Sequence, residues 1–196
     1  MFFVSDALLD QILADDIPYG DATTALLGIE KVPGIVRCRP KAETTIAGVT
    51  LAERLFARVG LQTTRFHEEG DTVAAGTVIL EGRGSAGAIH AVYKTAQNIL
   101  EYASGIATRT HQMVEEARVG NPLCRVAVTR KHFPGTKTLS LYAAITGGAV
   151  VHRMGLSESV LVFDQHRVFI ADFEKRLTEA QKADPERKIA VEAADI

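Results

Sequence analysis

Cys124-Arg125-Val126-Ala127-Val128-Thr129, followed at once by Arg130-Lys131-His132-Phe133-Pro134-Gly135-Thr136-Lys137, is the stretch on which the fold turns. Its first half is short and nearly all apolar, the pattern of a strand buried on both faces of a parallel sheet. Its second half is a polar loop broken by a Pro-Gly turn. Two similar apolar runs follow, Val160 to Phe163 and Ile189 to Val191. Between the three runs lie segments of helical period. These are residues 138–146, and residues 167–182 with Val168, Phe169, Ala171, Phe173, Leu177 and Ala180. Buried strands alternating with such helices predict parallel βα units. A closed (β/α)8 barrel takes about 250 residues, and three strands cannot close one. Residues 111–196 are therefore expected to be the first part of an α/β barrel, truncated or completed by a partner.

Upstream the pattern differs. Ser5 is a natural N-cap for a short amphipathic helix over 6–14, which Pro18, Gly20 and Asp21 end. A strand-like run with Ile35, Arg37 and Arg39 stops at Pro40. Helical period returns over 48–59 and ends at Gly60. Residues 68–84 hold short Val and Ile strands between glycine turns. A helix stripe over 87–103 is expected to break at Ser104-Gly105 and resume over 106–118, with Asn121-Pro122 as a boundary. Residues 1–110 thus form an α+β domain ahead of the barrel-like segment.

Composition excludes several roles. The 196 residues are 46% hydrophobic and 23% charged, as in an ordinary globular chain. The net charge of -2 gives no basic excess for nucleic acid or for an anionic membrane, so any anion site must be built locally. No apolar run reaches the ~20 residues of a membrane span. The N-terminus lacks the basic region of a signal peptide. Cys38 and Cys124 form no CxxC, which argues for a cytoplasmic chain in which both serve as small buried hydrophobes.

Chemistry-bearing residues cluster where the strands end, the place where barrels carry function. Arg130 offers a planar fork for a carboxylate, and Lys131 a point charge for phosphate. An ordinary solvated turn would look the same. Gly147-Gly148 permits close backbone approach and leads to His152-Arg153-Met154-Gly155-Leu156, which otherwise is a loop with a core His and a surface Arg. Asp164-Gln165-His166 follows the second strand, where Asp164 is equally placed to cap a helix. Glu192 ends the third strand and is a candidate for ribose hydroxyls or Mg²⁺. Arg83, between Gly82 and Gly84, is expected in a turn and is a weaker phosphate candidate.

The ordered set resembles the quinolinate phosphoribosyltransferase family. Its marks are Asp21-Ala22-Thr23-Thr24, Asn98, Ser104-Gly105-Ile106-Ala107-Thr108, Thr129-Arg130-Lys131, Pro134-Gly135, Gly147-Gly148, His152-Arg153, Gly155-Leu156, Asp164, His166 and Val191-Glu192. The resemblance implies an N-terminal α/β sandwich followed by an open α/β barrel. It implies transfer from 5-phosphoribosyl-1-pyrophosphate to an aromatic acid, with Mg²⁺ as cofactor and release of pyrophosphate. It also implies a homodimer with shared active sites. On that resemblance Arg130, His152 and Arg153 hold the acidic ring, Lys131 contacts the donor, and Glu192 lies near the ribose or Mg²⁺.

Two positions depart from the family pattern. Lys94 stands where the family has an Arg that reaches across the dimer, and Phe163 where it has a Lys. Phe163 cannot pair with a carboxylate, so the acceptor is expected to carry less negative charge or more apolar surface than quinolinate. Phe163-x-x-His166-Arg167 and the Arg130-Lys131-x-Phe133-Pro134-Gly135 form resemble the ModD-type pyrophosphorylase branch. A non-catalytic phosphoribosyl sensor linked to molybdenum transport is the competing expectation. A biotinyl- or lipoyl-type half-barrel over Glu69 to Leu80 is a third, but that module needs a hairpin Lys and none lies between Lys41 and Lys94.

Overall fold

The computed structural model describes residues 4–193. They form, in chain order, α1 (Asp6–Asp16), α2 (Ala22–Leu26), β1 (Pro33–Cys38), β2 (Thr44–Thr45), α3 (Val49–Arg58), β3 (Gln62–Arg65), β4 (Thr72–Val73), β5 (Leu80–Ser85), α4 (Ala86–Gly120), β6 (Ala127–Val128), α5 (Lys137–Thr146), β7 (Val150–Val151), β8 (Val160–Val162), α6 (Asp164–Arg167), α7 (Phe173–Ala183) and β9 (Ile189–Val191). The chain divides into two compact units, Met1–Val151 and His152–Ile196.

In the first unit an antiparallel sheet of order β1-β5-β3 packs on helices. Pro33 pairs with Ser85 and Cys38 with Leu80 at the two ends of the β1–β5 register. Leu51, Leu55 and Phe56 of α3 and Val92, Ala96 and Ile99 of α4 close over Leu80 in one apolar core. Removing these side chains from water is the main force holding the layers together. The Gly82-Arg83-Gly84 segment is not a turn but part of β5. A Cβ at Gly82 would meet Phe56 at 2.8 Å, and one at Gly84 would meet Leu61 at 2.5 Å. These glycines admit the core side chains, while Arg83 pairs with buried Glu81 at 2.6 Å.

Helix α4 is continuous through Ser104-Gly105, against the expected break. Ala103, Ser104 and Ala107 form a packing face, while Gly105 points outward. Ser104 Oγ donates to the Ala47 carbonyl at 3.0 Å and accepts the Ala47 N–H at 3.1 Å. Thr108 Oγ1 accepts the Thr45 N–H at 2.9 Å. Parallel pairs are present downstream: β8 with β9 joins two expected strands, whereas β6 pairs with β7, which lies in a stretch expected to be loop.

Other expectations need correction. Only Ala127–Val128 of the Cys124–Thr129 run is strand, and Cys124 is exposed. β8 is half-buried rather than buried. The 167–182 helix is instead two, because Asp172 caps a fresh start by accepting the Lys175 N–H at 3.1 Å. Val168 and Phe169, between the two helices, are 76% and 88% exposed, so they form no core stripe.

Candidate functional site

In the first unit the loop after β6 carries Arg130 and Lys131, both exposed. Two backbone bonds shape it, His132 N–H to the Arg130 carbonyl and Thr136 N–H to the Phe133 carbonyl, both at 3.1 Å. Gly135 sits at φ 85°, which a side chain would resist. Tyr102 of α4 anchors the loop by donating to Thr136 Oγ1 at 3.0 Å. The loop then enters α5, which has no side-chain N-cap. Helix N-termini left so present N–H groups and a positive dipole end to an anion. Among the described residues Arg130 and Lys131 form no ion pair with an acid.

Lys94 is also in this unit, exposed on α4. Its Nζ donates to Gln97 Oε1 at 2.9 Å and lies 5.5 Å from the Tyr93 ring centre. Tyr93 and Gln97 line a cavity of about 580 Å³ that Arg39, Lys41 and Arg109 also border. Arg39 and Lys41 follow the end of β1 and Arg109 lies on α4, so no single motif marks this cationic rim in the sequence.

The Asp21-Ala22-Thr23-Thr24 motif has a structural task. Asp21 caps α2 by accepting the Thr23 N–H at 3.0 Å. The Thr24 hydroxyl, which donates to Asp21 and holds that carboxyl below its ordinary range, lies 2.8 Å from His90 Nδ1 on α4.

The second unit brings Arg153, Phe163, His166 and Glu192 to the ends of β8 and β9. Arg153 is 8% exposed, correcting its expected place on the surface. Its Nη1 donates to the Ser159 carbonyl at 3.5 Å, and its guanidinium lies 5.9 Å from the Phe163 ring centre. Phe163 and His166 stack at 5.7 Å with planes 20° apart. The Phe163 N–H donates to His166 Nδ1 at 3.0 Å. Phe163, not Asp164, occupies the N-cap of α6. The Glu192 N–H continues the ladder to the Val162 carbonyl at 2.9 Å, and Arg167 donates to the Glu192 carbonyl at 3.2 Å. His152 is exposed at the head of the unit, not in a core. Among the described residues no three His, Cys, Asp or Glu side chains gather as a metal site.

Comparison with known proteins identifies the family. The family model for the quinolinate phosphoribosyl transferase N-terminal domain matches residues 21–104, and that for the C-terminal domain matches residues 106–196. A Rhodobacter capsulatus relative named "Putative pyrophosphorylase ModD" is 40% identical over 198 residues, covering 100% of this chain and 76% of the relative. A protein of the same name from Pasteurella multocida is 36% identical over 199 residues, covering 100% of this chain and 71% of the relative. The crystal structure of NadC from Streptococcus pyogenes superposes with a TM-score of 0.88 at 27% identity, over 97% of this chain and 68% of that one. The chain belongs to the quinolinate phosphoribosyltransferase family, in its ModD-type pyrophosphorylase branch.

Proposed function

We propose that the chain transfers the phosphoribosyl group of 5-phosphoribosyl-1-pyrophosphate to an aromatic acid and releases pyrophosphate. The observation that carries this is the pairing of Arg130 and Lys131, without acid partners among the described residues, on a loop that runs straight into the uncapped start of α5. Negative charge builds on the departing pyrophosphate, and preorganised cations and amide dipoles favour that charge more in the transition state than before it. Lys131 holds the donor phosphates. Arg130, His152 and Arg153 hold the acid, and Phe163 and His166 line it. Glu192 faces the ribose or the Mg²⁺ that enters with the donor. When bound, that ion screens the charge of the leaving group.

The same proposal includes a homodimer in which Lys94 completes the site of the other subunit. Its exposure on α4, beside the cavity, supports that role. A cytoplasmic location and an association with molybdenum transport are further parts of it. Among the described residues no helix is long and apolar enough to cross a membrane.

The test is pyrophosphate release from the donor with Mg²⁺ and a panel of aromatic acids. Loss of one charged hydrogen bond costs about 1.5–3 kcal/mol. Lys131→Ala is therefore expected to raise the donor Kd about 10- to 100-fold. An unchanged donor affinity removes Lys131 from its role. Saturable donor binding with no release by any acid marks a sensor instead.

A further inference from the structure

The second unit places an incompletely satisfied cation beside an aromatic wall. Arg153 is 8% exposed, yet its guanidinium makes only a long 3.5 Å bond to the Ser159 carbonyl, and among the described residues no carboxylate pairs with it. A buried charge left in that state is costly unless an anion completes it. Ser159 itself carries a buried Oγ without a hydrogen-bond partner among the described residues. Phe163 lies against the same guanidinium, and His166 stacks on Phe163. His166 Nδ1 accepts the Phe163 N–H at 3.0 Å. A ring nitrogen that accepts carries no proton, so His166 stands here as a neutral ring that donates through Nε2–H. The set comprises one buried cation, two neutral donors and an aromatic surface.

We propose that the acceptor is a planar heteroaromatic acid with a single carboxylate, held by Arg153 and Ser159 against Phe163 and His166, and that its transfer yields pyrophosphate without carbon dioxide. This deepens the phosphoribosyl-transfer proposal and rests on it. Within this unit, a second ring carboxylate on the Phe163 side would meet that ring and a neutral imidazole, losing water without gaining a cation there. The lone pair of a pyridine-type ring nitrogen forms the bond to C1′ of the ribose. The C1′–O bond to pyrophosphate breaks, and its electron pair leaves with pyrophosphate. The ring nitrogen becomes cationic, the carboxylate stays on the ring, and no proton is exchanged.

The experiment measures pyrophosphate and carbon dioxide separately, with the full chain, the donor and Mg²⁺. The probes are pyridine, pyrazine and quinoline monoacids set against their dicarboxylate counterparts. The expected result is a kcat/KM at least tenfold higher for a monoacid than for its diacid, with no carbon dioxide. Phe163→Lys is expected to move that ratio at least tenfold toward the diacid while donor Kd stays unchanged. Ser159→Ala, a smaller change, is expected to raise the monoacid KM severalfold without raising the donor KM. Preference for a diacid, with carbon dioxide matching pyrophosphate, overturns the single-carboxylate assignment and leaves phosphoribosyl transfer standing. Absence of pyrophosphate release with every acid overturns both.

Discussion

Gly147→Ala is a sharp test of how the first unit is packed. Gly147 ends α5 at φ -74°, an ordinary backbone value, so alanine meets no local strain there. The obstacle is α4. A Cβ at Gly147 would lie 2.5 Å from the Ala107 carbonyl oxygen, 2.8 Å from Thr110 Cβ and 3.1 Å from Ala107 Cα. Ala107 is fully buried and two of these atoms are backbone, so no flexible side chain can swing away. Overpacking of this kind costs about 1–3 kcal/mol. Stiffening the unfolded chain returns about 0.4–1 kcal/mol. The net loss is about 1–2 kcal/mol, a fall in Tm of roughly 2–8 °C for a chain of this length. Gly105→Ala is the counterpart, since nothing lies within 4 Å of a Cβ there in mid-helix. It is expected to stabilise by about 0.5–1 kcal/mol. Thermal and urea unfolding followed by circular dichroism measure both. A neutral or stabilising Gly147→Ala would refute the close seating of α5 on α4. A destabilising Gly105→Ala would mean that Gly105 is covered in solution.

Three further outcomes are expected. Glu69 accepts the N–H groups of Gly48 and Thr50 at 2.8 and 2.9 Å, where α3 starts without a side-chain cap of its own; Glu69→Ala should cost about 1–3 kcal/mol in urea unfolding, and an unchanged midpoint would show that water replaces it freely. Hydrogen bonding from Arg37, helped by Arg83, holds the Glu81 carboxyl below its ordinary 4.5. Its stabilisation is therefore complete above pH 4.5 and lost as pH falls through the lower folded value, so Glu81→Gln should flatten the acid limb of the stability profile; parallel profiles would rule this out. Burial pushes the Cys38 thiol up to about 11, whereas Cys124 is exposed, so a thiol reagent should label Cys124 first and Cys124→Ser should abolish the fast phase.

What could be foreseen in the sequence depended on whether a residue's task is local or tertiary. Helix starts at Ser5 and ends such as Gly60 follow from backbone chemistry within a turn, and the structure places them where spacing predicts. The parallel pair β8–β9 follows from two short apolar runs, although β6 and β8 are shorter than their runs and β7 stands where a loop was expected. Small residues misled because one sequence pattern serves opposite ends. Ser104-Gly105 reads as a break, yet Ser104 bonds the Ala47 backbone and the helix continues. Gly147 reads as a place of close backbone approach, and the backbone it admits is that of α4. Gly135 reads as a turn and is one, because its φ of 85° itself favours glycine. The site divides along the same line. His152-Arg153 and Phe163 stand out as motif and departure, but their neighbours decide what they can do. Arg153 is buried without an acid partner among the described residues, and His166 Nδ1 accepts the Phe163 N–H. The proposed single carboxylate rests on those two tertiary facts, which no motif spells out.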